Sequence, residues 1–182
     1  MKHNDDDIKI FHPAKKDGAG GDLAELALIM DAYRSNGNME KAGALGVKLA
    51  GVKPENICPE DAAKLTTNEV RQLRALIVFA AQIFLNKYLP HQILSSQAVN
   101  AMYAELSATS EGFFANISDG SSFTFYYLSV RKNRNVEENI GKNYAMLCDK
   151  DNDEFLVSLG ERVFALTDFK VCDMIEELEF TE

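Results

Sequence analysis

Three aspartates at alternate positions, Asp149, Asp151 and Asp153, have the residue type and spacing of the first half of a calcium loop. The oxygen ligands of such a loop fall at positions 1, 3 and 5, a glycine at the sixth turns the chain, and a bidentate glutamate closes it at the twelfth. Here the sixth position is Glu154 and the twelfth is Gly160, with Glu161 one place late. The aspartates therefore read as a solvated connector in which Asp151 caps the helix that follows.

Other reactive side chains are scattered. None of His3, His12 and His91 follows a glutamate by three residues or lies four residues from another histidine. The helical ligand pairs of di-iron and zinc sites are thus missing. His91 follows Pro90, where an imidazole facing solvent or bonding a carbonyl is the ordinary outcome. Cys58, Cys148 and Cys172 are odd in number and far apart, which fits buried structural thiols rather than a disulfide framework. Gly18, Gly20 and Gly21 run into Asp22, whose charge would oppose a phosphate at a helix start. No serine stands between two glycines at nucleophile-elbow spacing. No cofactor and no metal is expected. A non-catalytic role is favoured, while an enzyme using dispersed carboxylates stays open.

Two groups of residues suggest binding instead. Gln82 and Arg74 lie in a segment that is otherwise strongly apolar. A buried polar group needs a partner, and a neighbouring helix is the commoner one, a ligand cavity the rarer. Phe113, Phe114, Phe123, Phe125, Tyr126 and Tyr127 form an aromatic cluster that packs a core or lines a pocket. Phe79, Gln82, Phe123, Tyr126 and Tyr127 are accordingly the candidate pocket or partner surface.

Charge gives the second group. Net charge is −9, and residues 1–91 balance 12 bases against 12 acids. The excess lies in the second half, and the last 34 residues hold 11 acids against three bases. Such a surface repels phosphate backbones and disfavours nucleic acid. The short basic cluster Arg131, Lys132 and Arg134 reads as a solvated helix end. An acidic face carrying Glu161, Asp173, Glu176 and Glu177 would speed encounter with a basic protein. An interaction module using that face is the leading expectation, and a small-molecule binder with an aromatic pocket is the alternative.

The elements that must position these residues are helical. A capping box pairs Ser, Thr, Asp or Asn with a glutamate three residues on. Asp22 with Glu25, Thr66 with Glu69, Asn135 with Glu138 and Asp151 with Glu154 all fit, each ahead of an apolar stripe of helical period. Leu23, Leu26, Met30 and Tyr33 form one stripe, and Gly37-Asn38 ends it. Lys53 to Pro59 reads as a connector, followed by a short helix to Leu65. The helix behind Thr66 is apolar almost all round, which places it centrally. Further helices are expected over 97–106, behind Asn135, behind Asp151, and restarting at Thr167 or Asp168.

Leu23 to Pro54 resembles one tetratricopeptide repeat, with Tyr33, Ala42 and Pro54 at the offsets of that pattern. Leu26 replaces its tryptophan and Gly46 its second-helix aromatic, and no second copy is visible. About three such units are needed for a stable array, so a plain αα-hairpin is expected.

Residues 113–130 are read as helix, with a small β-hairpin turning at Asp119-Gly120 as the competing reading. The whole predicts an all-α, single-domain bundle of about seven helices over 22–182, behind an extended arm over 1–21. No secretory leader is apparent, and the longest apolar run, Ala75 to Ala81, is far below the ~20 residues of a membrane span. A cytoplasmic location is expected.

Overall fold

Thr66 adopts an extended backbone, and its hydroxyl accepts the Glu69 N–H at 3.4 Å while its own N–H donates to a Glu69 carboxylate oxygen at 2.7 Å. Two donors that a helix start leaves unpaired are thereby satisfied. The helix that follows, Thr67–Tyr88, is buried without interruption from Ala75 to Ala81. Leu73, Leu76, Ile77 and Leu85 are essentially inaccessible, each contributing about 1.5–3 kcal/mol by burial. A cap contributes about 1 kcal/mol, so packing rather than capping holds this helix.

The computed structural model describes residues 19–118, 120–132 and 134–181. Among these are ten helices and no strand: α1 (Ala19–Ser35), α2 (Asn38–Ala50), α3 (Pro54–Ile57), α4 (Pro59–Ala62), α5 (Thr67–Tyr88), α6 (Gln92–Thr109), α7 (Glu111–Ser118), α8 (Ser121–Lys132), α9 (Val136–Leu147) and α10 (Glu154–Glu176). The fold is an all-α bundle around α5. The most extensive packing is α2 on α6 and α9 on α10, and α10 in turn covers α5. No helix of the described residues is long and apolar enough to cross a membrane.

The helix count exceeds seven for local reasons. Pro59 starts the expected short helix as α4, which ends at Ala62 rather than Leu65, while Pro54 starts a further turn, α3, within the expected connector. Residues 113–130 form α7 and α8 with Gly120 between them at φ 76°, so the hairpin is replaced by two helices. At the other end, α10 runs straight through Thr167, whose hydroxyl donates to the Val163 carbonyl at 2.7 Å instead of starting a helix.

Only one of the four expected boxes forms as such. Asp22 lies inside α1, which starts at Ala19; the rest of the expected arm, residues 1–18, lies outside the described residues. Asn135 is left-handed and bonds the Glu138 side chain, not a backbone donor. Asp153 takes the cap expected of Asp151 and accepts the Leu156 N–H at 3.0 Å. The stripe expected on α1 is also largely uncovered: Leu23 is 71% and Leu26 43% exposed, because α1 meets chiefly α2.

Close backbone contact explains two glycine positions. A Cβ on Gly46 would lie 2.0 Å from the Ala98 carbonyl oxygen, so α2 and α6 cross with nothing between them. That crossing is why the tetratricopeptide-like segment has no aromatic at position 46. Between α9 and α10, a Cβ on Gly141 would lie 2.3 Å from the Val157 carbonyl oxygen.

Glu69 ties three elements together. Beyond the cap, its other carboxylate oxygen meets Lys150 Nζ at 2.7 Å, and its carbonyl accepts the Tyr144 hydroxyl at 3.1 Å. The carboxylate is 5% exposed. The Lys150 ammonium, helped by the Thr66 N–H, holds its pKa below the ordinary 4.5.

Gly46→Ala is expected to cost about 3 kcal/mol through overpacking, lowering Tm by about 6–12 °C in a thermal melt. Because the Glu69 pKa is depressed on folding, its stabilisation is complete above the unfolded carboxyl value and is lost as pH falls through the folded one. Glu69→Gln should therefore flatten the acid limb of the stability curve below about pH 5, read by denaturant titration at several pH values.

Candidate functional site

Three helices, α5, α6 and α8, border a cleft of about 960 Å3. Its floor comes from α5. Phe79, Gln82, Ile83 and Asn86 fall three or four residues apart, which places them on one helix face. The wall from α8 presents Phe123, Thr124, Tyr127, Leu128 and Arg131, and Gly120 begins it. The opposite wall is the first turn of α6, with Gln92 and Ser95. That wall is fixed by His91, whose Nδ1 accepts the Ile93 N–H at 3.1 Å and so caps α6. His91 is thus a capping residue, not a carbonyl-bonded one.

Four of the five pocket candidates, Phe79, Gln82, Phe123 and Tyr127, line this cleft. The Phe79 and Phe123 rings meet edge to face with centroids 5.5 Å apart. Tyr127 is 39% and Leu128 44% exposed, so the wall is apolar and open to solvent. Tyr126 is elsewhere. Its side chain is fully buried on the core side of α8, 5.4 Å from the Phe79 ring, and burial pushes its phenol well above the ordinary range.

Gln82 both bonds a neighbouring helix and faces the cleft. Its Oε1 accepts the Tyr103 hydroxyl from α6 at 2.7 Å. Burial pushes the Tyr103 phenol up to about 12, so it remains a donor at neutral pH. With the oxygen engaged, the amide NH2 is left as a donor at the cleft, and it donates to no acceptor among the described residues. Arg74 lies away from the cleft. It donates to Ser110 Oγ at 3.1 Å, and its guanidinium covers the Phe113 ring at 4.3 Å.

Arg131 carries the only formal charge among the cleft residues and forms no ion pair with a described residue. Its last-turn position marked it only as a helix-end charge, and α6 begins at Gln92 rather than 97. No spacing within the chain signals that these two join Phe79 and Phe123.

The acidic candidates all lie on or at the end of α10 and border different hollows. Asp173 and Glu176 border a shallow hollow of about 520 Å3 with Ile57, Leu166, Phe169 and Lys170. Glu177 follows at the end of α10. Glu161 is twelve residues before Asp173, about 18 Å along the helix, and stands with Glu137 and Glu138 beside the start of α9. In the first hollow, Cys172 donates to Glu176 at 3.4 Å, and that carboxylate raises the thiol pKa. A thiol so placed is a poor nucleophile. No group of three His, Cys, Asp or Glu among the described residues is arranged to hold a metal ion.

No protein-family model, no curated protein and no solved structure matches this chain.

Proposed function

We propose that the protein binds a small, largely apolar molecule in the cleft between α5, α6 and α8. The observation that carries this reading is the cleft itself: about 960 Å3, walled by Phe79, Ile83, Phe123, Tyr127 and Leu128, with the polar side chains of Gln82, Asn86, Gln92, Ser95, Thr124 and Arg131 around them. Its size falls in the range of small-molecule sites, and its composition has their character. Rings already packed at 5.5 Å form a rigid wall, which lowers the ordering cost of binding. The Gln82 amide supplies a directional donor, held in place from behind by Tyr103. This is a non-catalytic binding role, and the three unpaired cysteines, Cys58, Cys148 and Cys172, support a reducing, cytoplasmic setting.

A second reading, contact with a basic protein through the end of α10, is favoured by one observation. Phe169 is 75% exposed beside Leu166, with Asp173 and Glu176 bordering the same hollow. An exposed aromatic with flanking charge is the composition of an interface anchor. It keeps only part of the acidic face, because Glu161 is remote.

For the cleft, the probe is the neutral alcohol biphenyl-4-methanol, followed by protein NMR. Shifts are expected at the Ile83, Thr124 and Leu128 methyls, with Kd of about 1 mM or tighter by ligand-efficiency reasoning. Tyr127→Ala should weaken binding about tenfold without changing Tm by more than a few degrees. Shifts confined to other regions, or none, would remove the cleft reading. For the α10 surface, Phe169→Ser should abolish salt-sensitive capture of a basic partner while leaving probe binding in the cleft unchanged. Capture indifferent to both Phe169 and salt would count against it.

A further inference from the structure

We infer that the molecule taken by this cleft is an anionic amphiphile, an aryl or alkyl body bearing a single carboxylate, with Arg131 as its anchor. The inference rests on the cleft being a binding site and adds the chemistry of the ligand.

The chain carries 28 acidic residues against 19 basic ones, yet no acid among the described residues lines this cleft. Among the described residues its one charge is the Arg131 guanidinium, and none of their carboxylates pairs with it. A cleft meant for a cation would carry the reverse arrangement, and one meant for a neutral molecule gains nothing from a charged rim. The guanidinium is planar and accepts a carboxylate through two parallel N–H bonds, which makes it a directional anchor rather than a diffuse charge. One guanidinium neutralises one negative charge. A dianion such as a phosphomonoester would keep a surplus facing a protein of net charge −9.

Placement fixes the shape of the ligand. Phe123 and Arg131 are eight residues apart on α8, about 12 Å along the helix. A head group on Arg131 can therefore leave an apolar body lying along Leu128, Tyr127 and Phe123. Lys132 is also in the last turn of α8 but does not line the cleft, and its charge offsets the negative end of the helix dipole. The basic cluster seen in the sequence thus divides: Arg131 faces the site and Lys132 does not.

The test compares biphenyl-4-carboxylate with biphenyl-4-methanol on the full chain, by NMR titration at low and moderate salt. The carboxylate should bind about five- to tenfold more tightly, against the repulsion of the overall charge, with the advantage shrinking as salt is added. Arg131→Gln should erase that advantage, bringing the carboxylate to the affinity of the alcohol, while Arg131→Lys restores part of it. Alcohol and carboxylate binding equally, with Arg131→Gln silent on both, would overturn the anionic assignment and leave the cleft standing. If neither probe shifts the Ile83 and Leu128 methyls, both the cleft and the assignment fall.

Discussion

A helix whose middle has no solvent face has to be surrounded there, and that requirement on α5 organises the rest of the molecule. The residues from Ala75 to Ala81 are all buried, so neighbours must cover every side of them. Contacts from α10, α6, α8, α9 and the short α3 do so. Glu69 fixes where this enclosure begins, through one carboxylate and one carbonyl that reach the α5 cap, the loop after α9, and Tyr144 of α9. A nearly buried carboxylate is costly unless it is fully bonded, and here it is.

The cleft follows from the same enclosure where it is incomplete. On one side α6 and α8 cover α5 without closing over Gln82, Ile83 and Asn86. The rings of Phe79 and Phe123 fill the base of the opening, and the α6 cap at His91 sets its far edge. A site built on three helices rather than on loops keeps its geometry with little reordering, which is the property a small-ligand site needs.

The legible and illegible parts of the molecule separate by the range of the forces involved. The Thr66 box and the apolar circumference of α5 are local patterns, and both stand in the structure as the sequence implies. Asp151 fails as a cap because its neighbour Asn152 turns left-handed at φ 63°, which delivers Asp153 with the extended backbone a cap requires. Thr167 misleads because a hydroxyl serves a helix interior as well as a helix start. Phe79 and Gln82 are recoverable from three-residue spacing on one face, and the aromatic run marks Phe123 and Tyr127. Tyr126 lies inside the same run and differs only in facing the core. The places of Arg131 and Gln92 in the cleft depend on which helices meet, and no local pattern records that.

The buried side chain of Asn38 at the head of α2 grips Thr181: its amide nitrogen donates to the Thr181 carbonyl at 2.6 Å, and its oxygen accepts the Thr181 N–H at 3.3 Å. Those partners are 143 residues apart in sequence, whereas α9 and α10 meet across a short loop. Thr181 lies beyond α10 in irregular backbone, while α10 itself stays packed on α5 and α9, so this seam opens by local fraying before the α5 core does. Amide protons around Thr181 should accordingly exchange with solvent deuterium well before those of Leu85, and a seam as slow as the α5 core would show that the order is otherwise.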